Sequence, residues 1–420
     1  MTDPAAVPRL AAQLVAEMSE VMPVVVLRGA RQVGKSTLAN AIAAREGRVV
    51  ESFDDPQTRA RFRANEDGFL RRPEPMVIDE AQREPGVMLA LKRAVDAMGT
   101  RRVRGKYLVT GSADPLLMRD VADSLPGRAG YVTMWPLTRG EREGVARAAR
   151  WSLFLDHPSS AWPALLAEQN EVQKGAHAGA PADWRAEVMR GAFPEPSLVL
   201  GTDAARRTWR DQYVSTWLDR DLRELTRIPQ ALDVLRLMQF ASLRLGNLVN
   251  QTDLGRDAQL PQPRVARYLN VLEMSYQLVR LPSFGFTRRR RLLKTPKLYW
   301  NEAALAMHLA GLSEPTGAHF ENMILLELLA WAEGADRPTE IGYWRTSTGH
   351  EVDFVIRRGE EALPVEVKTS ANVTWKDIKG VRTFLEEHAP RAKAGVVLYA
   401  GSEVAWVANN VLAVPWWMVI

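Results

Sequence analysis

Residues 29–36 read GARQVGKS and carry the residue types that hold nucleotide phosphates. The stretch fits G-x-x-x-x-G-K-[ST] without exception, and it lies between the apolar run PVVVLRG and a helical pattern, which is the context this motif requires. Its glycines let backbone N–H groups close around phosphate oxygens, and the N-terminus of the following helix adds a favourable dipole. We expect Lys35 to reach the β- and γ-phosphates of ATP and Ser36 to hold Mg²⁺. The predicted nucleotide-binding residues are Gly29, Gly34, Lys35, Ser36 and Thr37.

The stretch MVIDE at residues 76–80 supplies the acids that such a phosphate site needs. Its apolar residues indicate a buried strand, and Asp79 follows at the strand end, where a carboxylate can meet Mg²⁺. Glu80 is predicted to orient or deprotonate the attacking water, whereas the alternative is an acidic strand end that caps the next helix. A further strand end, LVTGS, carries Thr110 and Ser112. Either could contact the γ-phosphate or the water, although such residues beside a glycine are usually turn residues.

Arg128, in the stretch DSLPGRAGY, comes directly before a predicted strand. An arginine there could complete the ATP site of a neighbouring subunit as an arginine finger, which stabilises the charge of the phosphoryl-transfer transition state. A solvated arginine without a catalytic role is the open alternative. If the finger operates, the protein works as a homo-oligomer.

Near the C-terminus, residues 363–370 read LPVEVKTS, in which Glu366 and Lys368 interrupt an apolar run. The two-residue period of a strand puts both side chains on one face, and the turn RRGEEA brings Asp353 of the preceding strand beside Glu366. Neighbouring carboxylates repel unless a cation neutralises them, and an oxygen site suits Mg²⁺ or Mn²⁺. Lys368 could then activate a metal-bound water for attack on a phosphodiester. The alternative is an amphipathic hairpin with a solvated charged face.

Residues 248–279 have the spacing of a helix-turn-helix, with QLPQP as the turn. The second helix is predicted to expose Arg264 and Arg267, as a recognition helix for the major groove would. The following stretch FGFTRRRRLLKTPKLYW is predicted to form a β-hairpin wing that contacts phosphates. Its four consecutive arginines are Arg288, Arg289, Arg290 and Arg291. A packed helix pair with a solvated arginine hairpin is the alternative to a DNA- or RNA-binding winged helix.

The predicted secondary structure that positions these residues differs from one part of the 420-residue chain to the next. Five short apolar strands alternate with helical stretches up to Leu137, which indicates an α/β parallel sheet. Helical patterns then dominate to residue 300, and a helix-rich start followed by alternating strands fills the rest. We therefore divide the chain into an ATP-binding core at 1–137, a helical lid or connector at 138–235 with a local insertion near 145–185, a winged helix at 236–300 and a C-terminal α/β domain at 301–420.

The composition, with 46% apolar and 25% charged residues, is that of a soluble globular protein. A net charge of +5 is compatible with a polyanionic partner. The absence of cysteine excludes disulfides and zinc ribbons. The N-terminal segment carries acids within its apolar stretch, unlike a secretory signal, and no run of eighteen apolar residues is present. We expect a cytoplasmic protein without membrane contact.

The order of these motifs resembles that of an AAA+ ATPase. The stretches RGARQVGKST, MVIDEAQREP, LVTGSADPLL and SLPGRAGYVTMWPLTRGE are similar to those of a bacterial and archaeal AAA+ family whose C-terminal domain is restriction-endonuclease-like. The similarity continues in WRDQYVSTWLDRDLREL, in PKLYWNEAALAMHLAG and in the terminal motif, and it leaves out about 145–185. That family usually has proline where Ala30 stands, which is a minor departure.

The resemblance implies a winged helix between the ATPase and nuclease-like domains. It also implies a PD-(D/E)xK core in which Asp353, Glu366 and Lys368 take the D…E-x-K positions. The upstream helix HFENMILLELLAW would supply a further acid, Glu321, as a metal ligand.

These observations predict a DNA-dependent ATPase that uses ATP and Mg²⁺ to remodel DNA, with branched or Holliday-junction DNA as candidate substrates in DNA repair. Its C-terminal domain would bind or cleave that DNA. One alternative is a nucleotide-gated DNA-binding protein with a retired nuclease fold, and another is a defence nuclease whose ATPase senses a signal. The fit of Glu80 and Arg128 to catalytic roles favours turnover over gating.

Overall fold

A computed structural model of the chain describes residues 7–99, 103–111, 125–145, 149–173, 183–223, 230–286 and 294–420. The described chain contains a five-stranded sheet, a mainly helical middle part with a two-stranded sheet, and a six-stranded sheet.

The N-terminal sheet is parallel throughout and has the strand order β2-β3-β4-β1-β5. Its strands are β1 (Val24–Arg28), β2 (Val49–Ser52), β3 (Met76–Asp79), β4 (Tyr107–Thr110) and β5 (Ala129–Thr133). Around it lie α1 (Leu10–Ser19), α2 (Lys35–Glu46), α3 (Pro56–Ala64), α4 (Glu66–Leu70) and α5 (Val87–Ala97).

Both faces of this sheet are covered. Val25 and Leu27 of β1 pack into one apolar cluster, whereas Val24 and Val26 pack into another, because successive residues of a strand face opposite sides. Burial on both faces explains why the strands read as continuous apolar runs in the sequence. The predicted α/β parallel sheet is confirmed.

The middle of the chain is mainly helical. Its helices are α6 (Arg139–Arg142), α7 (Trp151–Asp156), α8 (Trp162–Gln173), α9 (Trp184–Arg190), α10 (Asp203–Thr216), α11 (Ala231–Ser242), α12 (Gln251–Ala258), α13 (Gln262–Met274) and α14 (Ala303–Leu309). Two π-helical turns, Glu195–Val199 and Trp217–Asp221, stand before and after α10.

Helices α12 and α13 form the expected helix pair with a short turn between them. The pair is tight because a Cβ at Gly255 would stand only 2.7 Å from the carbonyl oxygen of Leu260. The antiparallel strands β6 (Leu278–Leu281) and β7 (Lys297–Trp300) follow. The sequence pattern predicts both strands of the hairpin within FGFTRRRRLLKTPKLYW. Strand β6 lies before this stretch, so the predicted position of the first strand is wrong. The four arginines, Arg288 to Arg291, lie outside the described residues.

The described parts of the segment 145–185 pack against the C-terminal part of the chain. The rings of Trp162 and Trp406 stack at 6.3 Å, and the indole N–H of Trp331 donates to Ser152 Oγ at 3.1 Å. The backbone N–H of Arg150 donates to the Val419 carbonyl at 2.8 Å. The segment is therefore joined to the C-terminal part by side-chain and backbone contacts.

The C-terminal part holds a mixed sheet in the order β12-β13-β11-β10-β9-β8. Its elements are α15 (Gly317–Glu333), β8 (Thr339–Arg345), β9 (Glu351–Arg358), β10 (Glu361–Lys368), α16 (Lys379–Glu387), β11 (Gly395–Tyr399), β12 (Ala405–Ala408) and β13 (Val411–Pro415). Strands β10, β11 and β13 run parallel, and the other pairs are antiparallel. Phe354 and Ile356 face the core cluster that contains α15, whereas Val352 and Val355 face the cluster that contains α16.

The C-terminal part also docks on the edge of the N-terminal sheet. A carboxylate oxygen of Glu333 accepts from the backbone N–H of Thr133 at 2.7 Å, and one of Glu327 accepts from that of Arg139 at 2.6 Å. Helix α15 thus joins the C-terminal sheet to the strand β5 and to the residues that follow it. A boundary drawn from sequence at residue 137 does not predict this contact.

Candidate functional site

The phosphate loop connects β1 to α2 and needs its glycines for backbone reasons. Gly34 has a φ of 97° and stands directly before the helix. Gly29 has a φ of 146°, and a Cβ there would lie 2.2 Å from the Met134 carbonyl oxygen. Side chains are excluded at both positions by conformation or by space. Gly29 and Gly34 therefore take the places that the motif predicts.

Lys35 is buried at the first turn of α2. Its Nζ donates to the carbonyls of Gly29 and Ala30 at 3.0 and 2.7 Å. Burial lowers the pKa of Lys35 to about 8, against the opposing effect of Glu80, Asp221 and Asp79. The ammonium is thus held inside the loop, where a negative phosphate would restore its usual pKa.

The predicted Mg²⁺ ligands meet. Ser36 Oγ donates to Asp79 Oδ1 at 2.8 Å, and Thr110 Oγ1 also donates to that carboxylate. Ser52 Oγ lies 3.4 Å from Asp79 Oδ2. A hydroxyl and a carboxylate at the C-terminal end of a parallel sheet, beside a helix N-terminus, fit a Mg²⁺–nucleotide. Ser112 lies outside the described residues.

Glu80 stands directly after Asp79 in a left-handed conformation, with a φ of 54°. This backbone region is uncommon for residues other than glycine, and such strain concentrates at functional sites. Gln82 donates to its carboxylate, and Arg83 Nε lies 4.0 Å from Glu80 Oε2. Glu80 is therefore fixed at the mouth of the phosphate site.

A cavity of about 600 Å³ joins these residues to the helical middle part of the chain. The phosphate loop lines one side with Gly34, Lys35, Ser36 and Thr37. The other side includes Pro194, Glu195, Trp209 and Arg220, which the sequence analysis did not single out. Nothing in their local sequence marks them, because they reach the cavity only through tertiary packing.

An ion pair links the loop itself to the same helical part. Arg31, at a variable position of the motif, contacts Asp221 Oδ1 through Nη1 at 2.5 Å. Asp221 is buried at the end of the π-helical turn after α10. The position of the loop is therefore coupled to the helices that cover the cavity.

Arg128, the predicted arginine finger, lies directly before β5. Its Nε contacts Asp96 Oδ1 at 2.6 Å, and its Nη1 donates to the Pro126 carbonyl at 3.0 Å. These contacts hold it on its own subunit, so a role in trans would require that the Asp96 contact be exchanged.

The C-terminal candidates share a face, as strand periodicity predicts. Strands β9 and β10 pair antiparallel with Val365 opposite Phe354, so the next position places Glu366 across from Asp353. Asp353 Oδ2 accepts from the backbone N–H of Val367 at 2.9 Å. Lys368 Nζ donates to Glu366 Oε1 at 2.5 Å, while Glu366 Oε2 is buried with no hydrogen-bond partner among the described residues.

A lysine that the sequence analysis did not single out lies among these carboxylates. Lys297 Nζ is 2.6 Å from Glu351 Oε1, 3.2 Å from Glu321 Oε1 and 3.7 Å from Asp353 Oδ1. Tyr299, on the same strand, donates its hydroxyl to Glu321. We call Glu321, Glu351, Asp353, Glu366, Lys297 and Lys368 the carboxylate cluster.

The electrostatics of the carboxylate cluster follow from burial and crowding. Burial, then the neighbouring Asp353, raise the pKa of Glu321 to about 7 and that of Glu366 well above its ordinary value. Burial acts to lower the pKa of Lys297, but Glu321, Asp353 and Glu351 raise it above its ordinary value. The pKa of Lys368 follows the same pattern beside Glu366. Both lysines are thus held in their charged form.

This arrangement does not fit a divalent cation. Within the described ranges, no group of three or more His, Asp or Glu side chains is placed to hold a metal ion. The carboxylate oxygens of Glu321, Glu351 and Asp353 instead surround the ammonium of Lys297. Glu321 and Asp353 are therefore brought together around Lys297, whereas Glu366, on the strand beside Asp353, pairs with Lys368.

The predicted DNA-contacting residues of α13 differ in environment. Arg264 is partly exposed and contacts Asp233 Oδ2 at 3.1 Å. Arg267 is exposed on the same helix, whereas Val265, Tyr268 and Leu269 are buried, as the helical pattern predicts.

Family models match three consecutive parts of the chain. An AAA domain matches residues 22–143, and two domains of unknown function, DUF8612 and DUF4143, match residues 181–316 and 316–419. The AAA match spans the parallel sheet together with the loop, Asp79 and Glu80. Fold, site and match agree on an ATPase of the AAA type, for which nucleotide and Mg²⁺ are the usual ligands.

The chain is also similar to particular proteins. It is 26% identical over 403 residues to the uncharacterized protein Rv2008c of Mycobacterium tuberculosis, with 94% of this chain and 80% of that protein covered. A Walker-type ATPase of Pyrococcus abyssi superposes with a TM-score of 0.40 at 16% identity, covering 71% of this chain and 94% of that one. The RuvB Holliday junction branch migration motor of Thermotoga maritima gives 0.30 at 17%, covering 65% and 89%. These TM-scores lie below 0.5 and define no shared overall fold.

No helix in the described part of the chain is long and apolar enough to cross a membrane.

Proposed function

We propose that the chain is a DNA-dependent ATPase that hydrolyses ATP at the phosphate loop and uses turnover to remodel DNA. One observation carries the ATPase part: Ser36 donates to Asp79 beside the buried Lys35, with Glu80 fixed at the mouth of the same cavity. A chance glycine turn would not bring these four residues together.

The proposed chemistry follows from the position of each group. Lys35 binds the β- and γ-phosphates and exchanges its contacts to Gly29 and Ala30 for phosphate oxygens. Ser36 and Asp79 hold Mg²⁺, which neutralises developing charge on the phosphates when it is bound. Glu80 orients the attacking water and accepts its proton.

The same cavity offers a route from hydrolysis to movement. Trp209 and Arg220 of the helical part line it, and Asp221 pairs with Arg31 of the loop. A bound triphosphate adds negative charge beside Arg31, which weakens the hold of Asp221 on that arginine. We infer that loss of the γ-phosphate is sensed as a change in the packing of the helices after α10.

DNA contact is assigned to α12, α13 and the β6–β7 hairpin. The helix pair supports a helix-turn-helix role, and Arg267 stands on the exposed side of its second helix. The connection between β6 and β7 contains Arg288 to Arg291, which are proposed to contact phosphates. Branched or Holliday-junction DNA remains the candidate substrate, and the structural comparison with RuvB adds no argument for it.

Of the two possible roles of the C-terminal domain, binding is favoured over cleavage. The observation that favours it is the ion pairing of Lys297 and Lys368 within the carboxylate cluster. A nuclease-like fold that has retired from catalysis would keep the sheet and the acidic face, and it could still contribute to DNA binding.

The test is ATP hydrolysis by the full chain without DNA and with single-stranded, duplex, forked and four-way DNA. We expect at least one DNA form to raise the hydrolysis rate. Replacement of Arg288 to Arg291 by alanine should flatten the slope of log affinity against log salt by up to about 0.9 for each arginine that binds a phosphate. Equal hydrolysis with and without every DNA form would overturn the DNA-dependent part and leave the ATPase part standing.

The proposed arginine finger has its own test, because it requires an oligomer. Arg128→Ala alone should lose ATPase activity, and mixing it with Lys35→Ala subunits should restore part of it, since mixed assemblies combine an intact loop with an intact arginine. Full hydrolysis by a strictly monomeric chain would exclude the finger.

A further inference from the structure

A second cavity, of about 700 Å³, shares no described lining residue with the ATP cavity. It is formed by residues 284–286 after β6, by Lys294, by residues 344–347 at the end of β8 and by the segment at the end of α16. Its volume lies within the range of ligand sites in proteins, about 300–1,000 Å³. Neither ATP hydrolysis nor the proposed DNA contacts of α13 use these residues, so a ligand of this cavity is a separate one.

One wall of this cavity is aromatic. The rings of Phe284 and Phe286 meet edge to face at 5.1 Å, and the His388 ring lies 5.5 Å from that of Phe284 and 6.0 Å from that of Trp344. Phe284 and Trp344 are buried, whereas Phe286 is half-buried. Arg357 Nη1 donates to the Phe286 carbonyl at 3.0 Å and holds the backbone in place. Phe286 is therefore a fixed aromatic residue that a ligand in the cavity can reach.

The same cavity carries an excess of positive charge. Its described lining residues include three cations, Lys294, Arg345 and Arg391, and one acid, Glu387. Lys294 Nζ donates to the Arg345 carbonyl at 3.2 Å, so two of the cations come from different segments to the same place. The side chains of Arg345 and Arg391 are 46% and 48% exposed. Cations that converge in a cleft favour an anionic ligand, and they bind phosphate oxygens by charge-assisted hydrogen bonds.

The two arginines have acidic partners that are not among the described lining residues of the cavity. Arg345 Nε is 3.6 Å from a carboxylate oxygen of Glu351, and Arg391 Nη2 is 2.8 Å from one of Glu360, whose side chain is 71% exposed. Exposed ion pairs of this kind contribute little to stability, so they exchange readily for a ligand. The Arg391 guanidinium also lies 4.3 Å from the centre of the Phe286 ring. Arg391 therefore joins the aromatic wall to the charged side of the cavity.

We propose that this cavity binds a nucleotide unit, an aromatic base that carries a sugar phosphate. The base stacks on Phe286 and Arg391, because bases stack on aromatic rings and on guanidinium planes. The phosphate binds Lys294 and Arg345. A free nucleotide and a nucleotide of a DNA strand share this chemistry. The strand as the source rests on the proposed DNA binding, whereas the free nucleotide does not.

The test uses the full chain with Lys35→Ala, which weakens nucleotide binding at the phosphate loop. Thymidine 5′-monophosphate is titrated by calorimetry, and a fluorescently labelled oligothymidylate by anisotropy. Each of these probes has a base-free counterpart, ribose 5-phosphate for the first and an abasic strand for the second. The four titrations separate recognition of the base from recognition of the phosphate.

Two substitutions divide the expected effects. Lys294→Gln should lower the affinity for every bound probe by roughly tenfold, because it removes a charge-assisted contact to phosphate. Phe286→Leu should lower the affinity for the probe that carries bases by roughly tenfold, because stacking is lost, and should leave the affinity for its base-free counterpart unchanged.

Arg337→Gln is the matched control for charge. Arg337 is exposed and lies two residues before β8, whose other end carries Arg345. It is not among the described residues that line the cavity. The substitution removes the same charge as Lys294→Gln and should leave the affinities unchanged. An equal loss in both variants would assign binding to overall charge and would overturn the proposal.

The two sources of the nucleotide give different results. If the cavity takes a free nucleotide, thymidine 5′-monophosphate binds at one per chain with an affinity that depends on Phe286. If it takes a nucleotide of a strand, only the oligothymidylate shows this dependence. Either result supports the proposed site.

Two further results would overturn the proposal. One is that no probe binds, or that the affinities of all bound probes are unchanged in Lys294→Gln and Phe286→Leu. The other is that each bound probe and its base-free counterpart bind equally well, which describes an anion site without base recognition. The second comparison needs no Phe286 variant, so it decides the matter even if Phe286→Leu fails to fold. DNA-stimulated ATP hydrolysis by the wild type alongside either result would leave the proposed function standing and remove only this site.

Discussion

The phosphate loop and the carboxylate cluster are both built from acids and buried lysines beside a sheet, but the partners of the lysines differ between the two sites. Lys35 donates to backbone carbonyls and faces a cavity of about 600 Å³. Lys297 and Lys368 are each bonded to carboxylates. The first site keeps a cation ready for an anionic ligand, whereas in the second the chain has already supplied the counter-ion.

The difference shows that lysine–acid spacing alone does not define chemistry. A buried ammonium with neutral partners gains most from a phosphate, because a negative ligand restores its charge balance. An ammonium that already contacts three carboxylates has little to gain from another anion, and it excludes a second cation. The neighbours of each lysine therefore decide which site binds a ligand.

The largest expected effect separates the two sites by ATP affinity. Lys35→Ala should weaken ATP binding by roughly 10²-fold, the scale of removing one or two charge-assisted hydrogen bonds. Lys368→Ala should leave ATP affinity unchanged, because its partner Glu366 lies in the other sheet. Titration with a fluorescent ATP analogue measures both. Equal losses of ATP affinity in the two variants would contradict the conclusion that only the phosphate loop binds the nucleotide.

The second prediction concerns the stability of the protein without ligand, for which a lysine of the carboxylate cluster should matter more than Lys35. Lys297→Ala should destabilise the fold by about 3 kcal/mol, because it leaves buried carboxylates without their partner. Lys35→Ala should cost about 1 kcal/mol, since the hydrogen bonds it removes are made to carbonyls. Urea unfolding gives both values. A larger loss of stability for Lys35→Ala would contradict the assigned partners.

Much of the phosphate site could be predicted from the sequence, because its residues are close along the chain and a strand–loop–helix unit positions them. The shared face of Asp353 and Glu366 followed from the period of two antiparallel strands. Lys297 could not be predicted, since it reaches the cluster from a strand that precedes α14 and α15. Trp209 and Arg220 likewise reach the ATP cavity only through the packing of helices on the sheet.

The buried carboxyl of Glu327, which accepts from a backbone N–H, provides a third point of comparison. Burial raises the pKa of Glu327 to about 7, although the Arg139 backbone N–H and the charge of Arg142 oppose the shift. Between about pH 4.5 and 7 the folded state keeps a proton that the unfolded state has released, so stability falls as pH rises. The total decrease in stability is at most about 3 kcal/mol.

Glu327→Gln should reduce the fall of stability between about pH 4.5 and 7, leaving the part that comes from the raised pKa values of Glu321 and Glu366, and should make the protein more stable than wild type above pH 7. Unfolding by urea at pH 5 and pH 8 measures the effect, with Glu333→Gln as a control on the same helix. A slope that is as steep in Glu327→Gln as in the wild type would contradict the contribution assigned to Glu327.

The smallest expected effect is on DNA cleavage. With Lys297 in place, Mg²⁺- or Mn²⁺-dependent nicking by the wild-type chain should stay at background, and Glu366→Ala and Lys368→Ala should not change it. Both variants should keep wild-type ATPase activity, because the two sites are separate. Metal-dependent nicking that disappears in Glu366→Ala but persists in Lys35→Ala would establish an active nuclease. It would contradict the conclusion that the lysines of the carboxylate cluster already neutralise its acids.

The most direct measurement is ATP binding and ATP hydrolysis by Glu80→Gln beside the wild type, both with Mg²⁺. Glutamine keeps the size of the side chain but cannot accept a proton, so the nucleotide should bind with unchanged affinity. Hydrolysis should be slower by about 10²-fold or more, the scale of general-base assistance. Hydrolysis at the wild-type rate by this variant would contradict the assignment of the phosphate loop, Asp79 and Glu80 as the site of turnover.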